Sequence, residues 1–115
     1  MEAKNLSKRW ILAFYTPRSS LEACKSAVFD AGAGCYSGRG NYTECCWATF
    51  GIGQYRPGNA ADPHIGVAGR LEKVEEAKVE VLCIGEEVLN KAIQSLKEAH
   101  PYEEPAYYVI KLEEF

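Results

Sequence analysis

A chain of 115 residues, 47% hydrophobic and 25% charged, has the length and balance of one globular domain, read here as residues 1–115 with a flexible stretch at 1–7. Thirteen basic against 16 acidic residues leave a net charge of −3, which excludes nucleic-acid binding through a general basic field. The amino-terminal apolar run reaches only from Trp10 to Tyr15, too short for a signal-peptide core or a bilayer span, so no membrane is expected as a partner and the cytoplasm is the expected location.

"RWILAFYTP" reads as the first strand. It is apolar on both alternating sets, Trp10, Leu12 and Phe14 against Ile11, Ala13 and Tyr15. Pro17 ends it. Ser19 followed by Glu22 matches a capping box, and Leu21, Cys24, Val28 and Ala31 then recur at helical spacing until Gly32. "GAGCYSGRGNY" is rich in glycine, but it follows a helix where a dinucleotide loop would follow a strand, so it reads as a turn needing positive φ.

"TECCWATFGIGQYRPG" reads as the second strand, with glycines that suggest a bend or bulge. "GNAADPHIGVAGRLE" is an excursion of turn residues, read as a hairpin arm. In "VEEAKVEVLCIG", the third strand, Ala77, Val79, Val81 and Cys83 face one way and Lys78, Glu80, Leu82 and Ile84 the other. Glu86 and Glu87 open a second helix, where carboxylates suit the dipole. Leu89, Ala92, Ile93 and Leu96 form its apolar stripe, Lys97 and His100 sit where positive charge is favoured, and Pro101 stops it. "AYYVIKLEEF" is the fourth strand.

The order β-α-β-β-α-β predicts an α+β, ferredoxin-like sandwich: an antiparallel sheet with two helices on one face. The other face is then bare. The first strand is apolar on both faces and the second and fourth nearly so, which predicts that further copies of the chain cover it, through Trp47, Tyr107, Tyr108 and Ile110.

The five cysteines, Cys24, Cys35, Cys45, Cys46 and Cys83, are odd in number and contain no C-x-x-C, as expected of reduced structural thiols. They have no spacing that joins them to His64 or His100 as a nucleophile and base, so no enzyme is expected. In "HPYEEP", His100 with Glu103 and Glu104 could hold a divalent cation, and His64 is a further candidate ligand. The competing reading is structural: His100 satisfies the last carbonyls of its helix, and Pro105 sets the entry into the last strand. Arg56 could hold an anion or pair with Glu72, Glu75 or Glu76. Trp47, Phe50, Tyr55, Tyr107 and Tyr108 read as core or interface packing in preference to nucleobase stacking.

"HPYEEPAYYVIKLE", with "GIGQYRPG", "PHIGVAGRLEKVEEAKVEV" and "AGAG…NYTECCW", resembles the domain inserted in YqfO-type proteins, the NGG1-interacting-factor-three-like family. The ending is also similar to the "HPYE-x-P" of CutA proteins. The resemblance covers nearly the whole chain. It implies a PII/CutA-like fold, association as trimers, and ligands held between subunits near the loop after the second strand. On that basis Arg56, Tyr102 and Glu103 are the expected ligand-binding residues, for a small anion, and CutA-like copper tolerance favours the metal set above. The loop "CYSGR" looks longer than the family's usual turn. The family's flanking domain, rich in metal-binding histidines and carboxylates, has no counterpart in a chain with two histidines, so its hydrolase activity is not expected here. The expected function is a non-catalytic oligomer that senses a small ligand, scaffolds or regulates a protein partner, and needs no cofactor. A copper-type divalent-metal binder, or an enzyme acting on a small anion at the subunit cleft, are the alternatives.

Overall fold

The two-faced apolar pattern of "RWILAFYTP" forms strand β1 (Arg9–Pro17) in a computed structural model that describes residues 8–36 and 41–114. The stretch at 1–7 and most of the loop "CYSGR" lie outside the described residues. Pro17 leads into a short 3-10 turn, Arg18–Ser20, and then helix α1 (Leu21–Asp30), which buries Leu21, Cys24 and Val28. The expected capping box does not form. Ser19 lies inside the turn, Ser20 makes no side-chain cap bond, and the Leu21 N–H is taken by the Arg18 carbonyl instead. Gly32 closes the helix at φ +107°, a conformation that a side chain would strain.

Strand β2 (Trp47–Tyr55) begins later than "TECC" suggests, because Glu44 turns the chain at φ 56°. It pairs with strand β3 (Glu72–Ile84) one residue for one, from Trp47 opposite Glu80 to Tyr55 opposite Glu72. The expected glycine bulge is therefore absent. Helix α2 (Glu86–Ala99) buries Leu89, Ala92 and Leu96, and strand β4 (Tyr107–Lys111) is shorter than the apolar run that predicts it. The four strands are antiparallel in the order β2-β3-β1-β4. This is the ferredoxin-like arrangement.

Cross-strand pairs share a face, so the register sorts the side chains. Leu12 opposite Val81 and Phe14 opposite Val79 turn to the helices and meet Val28 and Leu96; all six are at most 1% exposed. Tyr107, opposite Phe14, also packs on this core, with the Lys97 ammonium 5.4 Å from its ring centre. That corrects its expected place among the interface residues. Its neighbours Tyr108 and Ile110 pair with Ala13 and Ile11 on the other face, where no helix lies. Trp47 shares that face, opposite Glu80.

β3 pairs with β1 only from Glu76 onward. Residues 72–75 are paired with β2 alone. The β2–β3 hairpin thus projects past the two-helix layer, and its connecting loop, residues 56–71, comes to the end of the sheet where α2 turns into β4.

Candidate functional site

Proline at 101 has no N–H to continue α2, so the chain leaves the helix there. His100 is extended (φ −76°, ψ 138°), and its backbone N–H closes the helix on the Leu96 carbonyl. The structural reading of the sequence expects its ring to satisfy the last helix carbonyls, and it bonds elsewhere. Nε2 lies 2.7 Å from the Tyr15 carbonyl at the end of β1, and Nδ1 accepts the Tyr102 N–H at 3.1 Å. A carbonyl only accepts and an N–H only donates, which fixes the neutral tautomer protonated at Nε2. Burial pushes the imidazole below its ordinary value of 6.5, against smaller opposing effects of the Tyr15 bond and the Glu76 carboxylate. The positive charge expected of His100 at the helix end is therefore disfavoured.

Tyr102 packs on that imidazole, ring centres 4.9 Å apart, and its hydroxyl donates to Glu76 Oε2 at 2.9 Å. Burial first, and then the neighbouring carboxylate, raise the phenol's pKa, so it stays protonated and donates. Gly53 makes room for this pair: a Cβ there would overlap the Glu76 carboxylate. The Tyr55 and His64 rings stand 5.9 and 6.4 Å from Tyr102.

The loop 56–71 is tied down around these rings by three polar contacts. The Tyr55 hydroxyl donates to the Ile65 carbonyl at 2.7 Å, Arg56 Nη1 to the Gly69 carbonyl at 2.8 Å, and the Asp62 N–H to Glu103 Oε1 at 2.9 Å. Between loop, turn and sheet lies a cleft of about 490 Å³. It is lined by five of the ligand and metal candidates of the sequence, Arg56, His64, Tyr102, Glu103 and Glu104, and by Tyr55. Among the described residues Arg56 forms no ion pair with Glu72, Glu75 or Glu76; its hydrogen bond goes to a loop carbonyl.

The proposed metal set does not assemble. Both ring nitrogens of His100 are engaged with backbone groups, Glu103 holds the loop, and among the described residues no group of three or more His, Cys, Asp or Glu is arranged to hold a metal ion. Of the thiols, burial raises Cys24 and pushes Cys83 up to about 11, which keeps both protonated and inert. Glu76 and Gly53, central to the cleft, escape the sequence reading as site residues. A glycine in mid-strand opposite a two-faced acidic stretch is the one signal that points to them.

A β2-β3-β1-β4 antiparallel sheet with both helices on one face, and a cleft where the hairpin loop meets the last turn, is a ferredoxin-like fold of the PII/CutA kind. Solved structures bear this out. A Bacillus cereus protein related to NIF3 superposes with a TM-score of 0.76 at 31% identity, over 94% of this chain and 26% of that one. CutA from Xylella fastidiosa gives 0.64 at 17% identity, over 93% of this chain and 86% of that one. GlnK from Bacillus subtilis, in a complex with ATP, gives 0.57 at 11%, over 91% and 82%. The last two show the fold alone. No family model matches the chain. Among curated proteins, a GTP cyclohydrolase 1 type 2 homolog of Mycobacterium tuberculosis is 38% identical over 104 residues, and one of Listeria innocua is 42% identical over 103. The chain is thus similar, over about nine-tenths of its length, to the PII/CutA-like domain of the YqfO-type, NGG1-interacting-factor-three-like proteins, as "HPYEEPAYYVIKLE" predicts. It spans about a quarter of the length of the curated relatives it matches (26%). Among the described residues no helix is long and apolar enough to cross a membrane.

Proposed function

We propose that this chain is a non-catalytic PII/CutA-like module that associates with copies of itself and holds a small ligand in the cleft beside Tyr102. One observation carries the self-association: the helix-free face of the sheet exposes Trp47 (67%), Tyr108 (59%) and Ile110 (53%). Large apolar groups gathered on one face mark an association surface. Polar groups on the same face, Lys78 and Glu80 paired at 3.2 Å, can form its rim or its register contacts. A second copy has the same complementary mixture, and closed rings are the commonest way to cover such a face. A trimer is the assembly that the family resemblance implies. The hydrogen bonds that hold the 56–71 loop around the cleft give the ligand a largely formed site, in keeping with a sensing or partner-regulating role.

The test is sedimentation velocity on wild type and Tyr108→Asp. Wild type should sediment as a discrete oligomer at micromolar concentration. The aspartate would bury an unpaired charge in the interface and should shift the protein to monomer while its far-UV circular dichroism stays unchanged. A wild-type protein that is monomeric at all concentrations, or a variant of unaltered mass, would falsify the assignment of this face.

A further inference from the structure

The chemistry lining the cleft is lopsided. Three carboxylates, Glu76, Glu103 and Glu104, face one guanidinium, that of Arg56. That guanidinium already donates to the Gly69 carbonyl. Glu76 accepts a hydrogen bond from the Tyr102 hydroxyl and Glu103 one from the Asp62 N–H, which leaves each carboxylate a second oxygen to face the cleft. Glu104 is exposed and has no ion-pair partner among the described residues. The remaining wall is aromatic. Tyr55 and Tyr102 meet edge to face with centres 5.9 Å apart and His64 tilts beside them, so ring faces and carboxylates share one space. π faces and carboxylates both attract positive charge. A phosphate or carboxylate ligand would meet repulsion from three sides and one attraction.

We propose that the ligand of this cleft is a small organic cation: a free alkylammonium or alkylguanidinium whose charged head lies among Glu76, Glu103 and Glu104 and whose apolar tail lies against Tyr55 and Tyr102. The small anion expected from the sequence is the opposite class. Tyr102 has a positioning role. Its hydroxyl holds the Glu76 carboxylate toward the cleft, and Gly53 leaves the space for it. The inference rests on the reading of the cleft as a ligand site, and it adds the sign and kind of the ligand.

The full-length chain, labelled with ¹⁵N, tests this by titration with n-butylammonium and n-butylguanidinium. Inorganic phosphate and ATP serve as the anionic counterparts at matched ionic strength. The expected result is a saturable shift of the Tyr55, His64 and Tyr102 backbone amides with the cations and none with the anions. Glu104→Gln, an exposed position outside the core, should keep the native spectrum and weaken the cations about tenfold, the effect of one charged hydrogen bond. Saturable shifts of the same amides with phosphate or ATP, and none with the cations, overturn the cation while leaving the cleft a ligand site. Shifts with none of the four probes overturn both. Cation affinity unchanged in Glu104→Gln and in 0.5 M NaCl overturns the role given to the carboxylates.

Discussion

His100 serves two backbone groups at once, the Tyr15 carbonyl and the Tyr102 N–H, at 6% exposure. A phenylalanine there fills the space and leaves both groups unpaired. His100→Phe should therefore lower stability by about 2–6 kcal/mol, since each of the two buried groups left unpaired costs about 1–3 kcal/mol. The same bonds set a pH dependence. A second proton would have to sit on Nδ1, where the Tyr102 N–H already donates. Burial lowers the folded-state value below the ordinary 6.5, with Glu76 and the Tyr15 bond opposing and His64 assisting. The unfolded chain thus binds the proton first as pH falls. The contribution of His100 is complete above pH 6.5, declines below it, and stops changing once the folded imidazole is itself protonated. Urea denaturation between pH 8 and 5 should show this decline in wild type and a flatter profile in His100→Phe. An equally steep decline in the variant would refute the account.

Along single elements, β2 has two kinds of glycine. Gly51 faces open space, whereas Gly53 borders Glu76. The atom in the way is the end of a flexible side chain, so Gly53→Ala should cost little stability, about 1 kcal/mol or less, because a strand prefers alanine to glycine and the carboxylate can swing aside. The displaced carboxylate can no longer accept the hydrogen bond of the Tyr102 hydroxyl. Gly53→Ala should then lower the Tyr102 hydroxyl pKa toward that of an ordinary tyrosine, read by ultraviolet titration against Tyr102→Phe, whereas Gly51→Ala should not. Elements of this kind mark how far the sequence could be read. The core faces of β3 and of α2 follow from apolar period: Ala77, Val79, Val81 and Cys83 are buried as their alternation demands, and Leu89, Ala92 and Leu96 as their stripe demands. The capping box failed because Ser19 lies inside the 3-10 turn Arg18–Ser20, so it does not stand at the helix N-cap. The destination of the His100 ring, 85 residues away at Tyr15, could not be legible. Local pattern records a helix end, but which strand end lies beneath it is decided by the sheet order. For the same reason "HPYEEP" announced a site and left its chemistry open. The loop that completes the cleft comes from the β2–β3 connection, and Glu76 comes from mid-strand.

At the scale of the whole molecule the bare sheet face ties stability to concentration. If folded protomers associate and unfolded ones do not, mass action adds stability as protein concentration rises. For an n-fold ring that unfolds to monomers, each tenfold rise adds (n − 1)/n of about 1.4 kcal/mol per protomer, or about 0.9 kcal/mol for a trimer and about 0.7 for a dimer. Unfolding entropy near 2.1 cal/mol/K per residue gives this 115-residue chain about 0.24 kcal/mol/K. The melting temperature should therefore climb by about 4 °C per decade of concentration for a trimer and about 3 °C for a dimer. Calorimetry at 5, 50 and 500 µM reads the slope, and Tyr108→Asp should remove it together with the oligomer. The ordinary alternative is a monomer whose exposed Trp47, Tyr108 and Ile110 simply tolerate water, and it predicts a level melting temperature across the same range. Because the slope depends on which state associates and on no particular contact, it tests self-association itself, even if Tyr108 proves to lie at the rim of the interface.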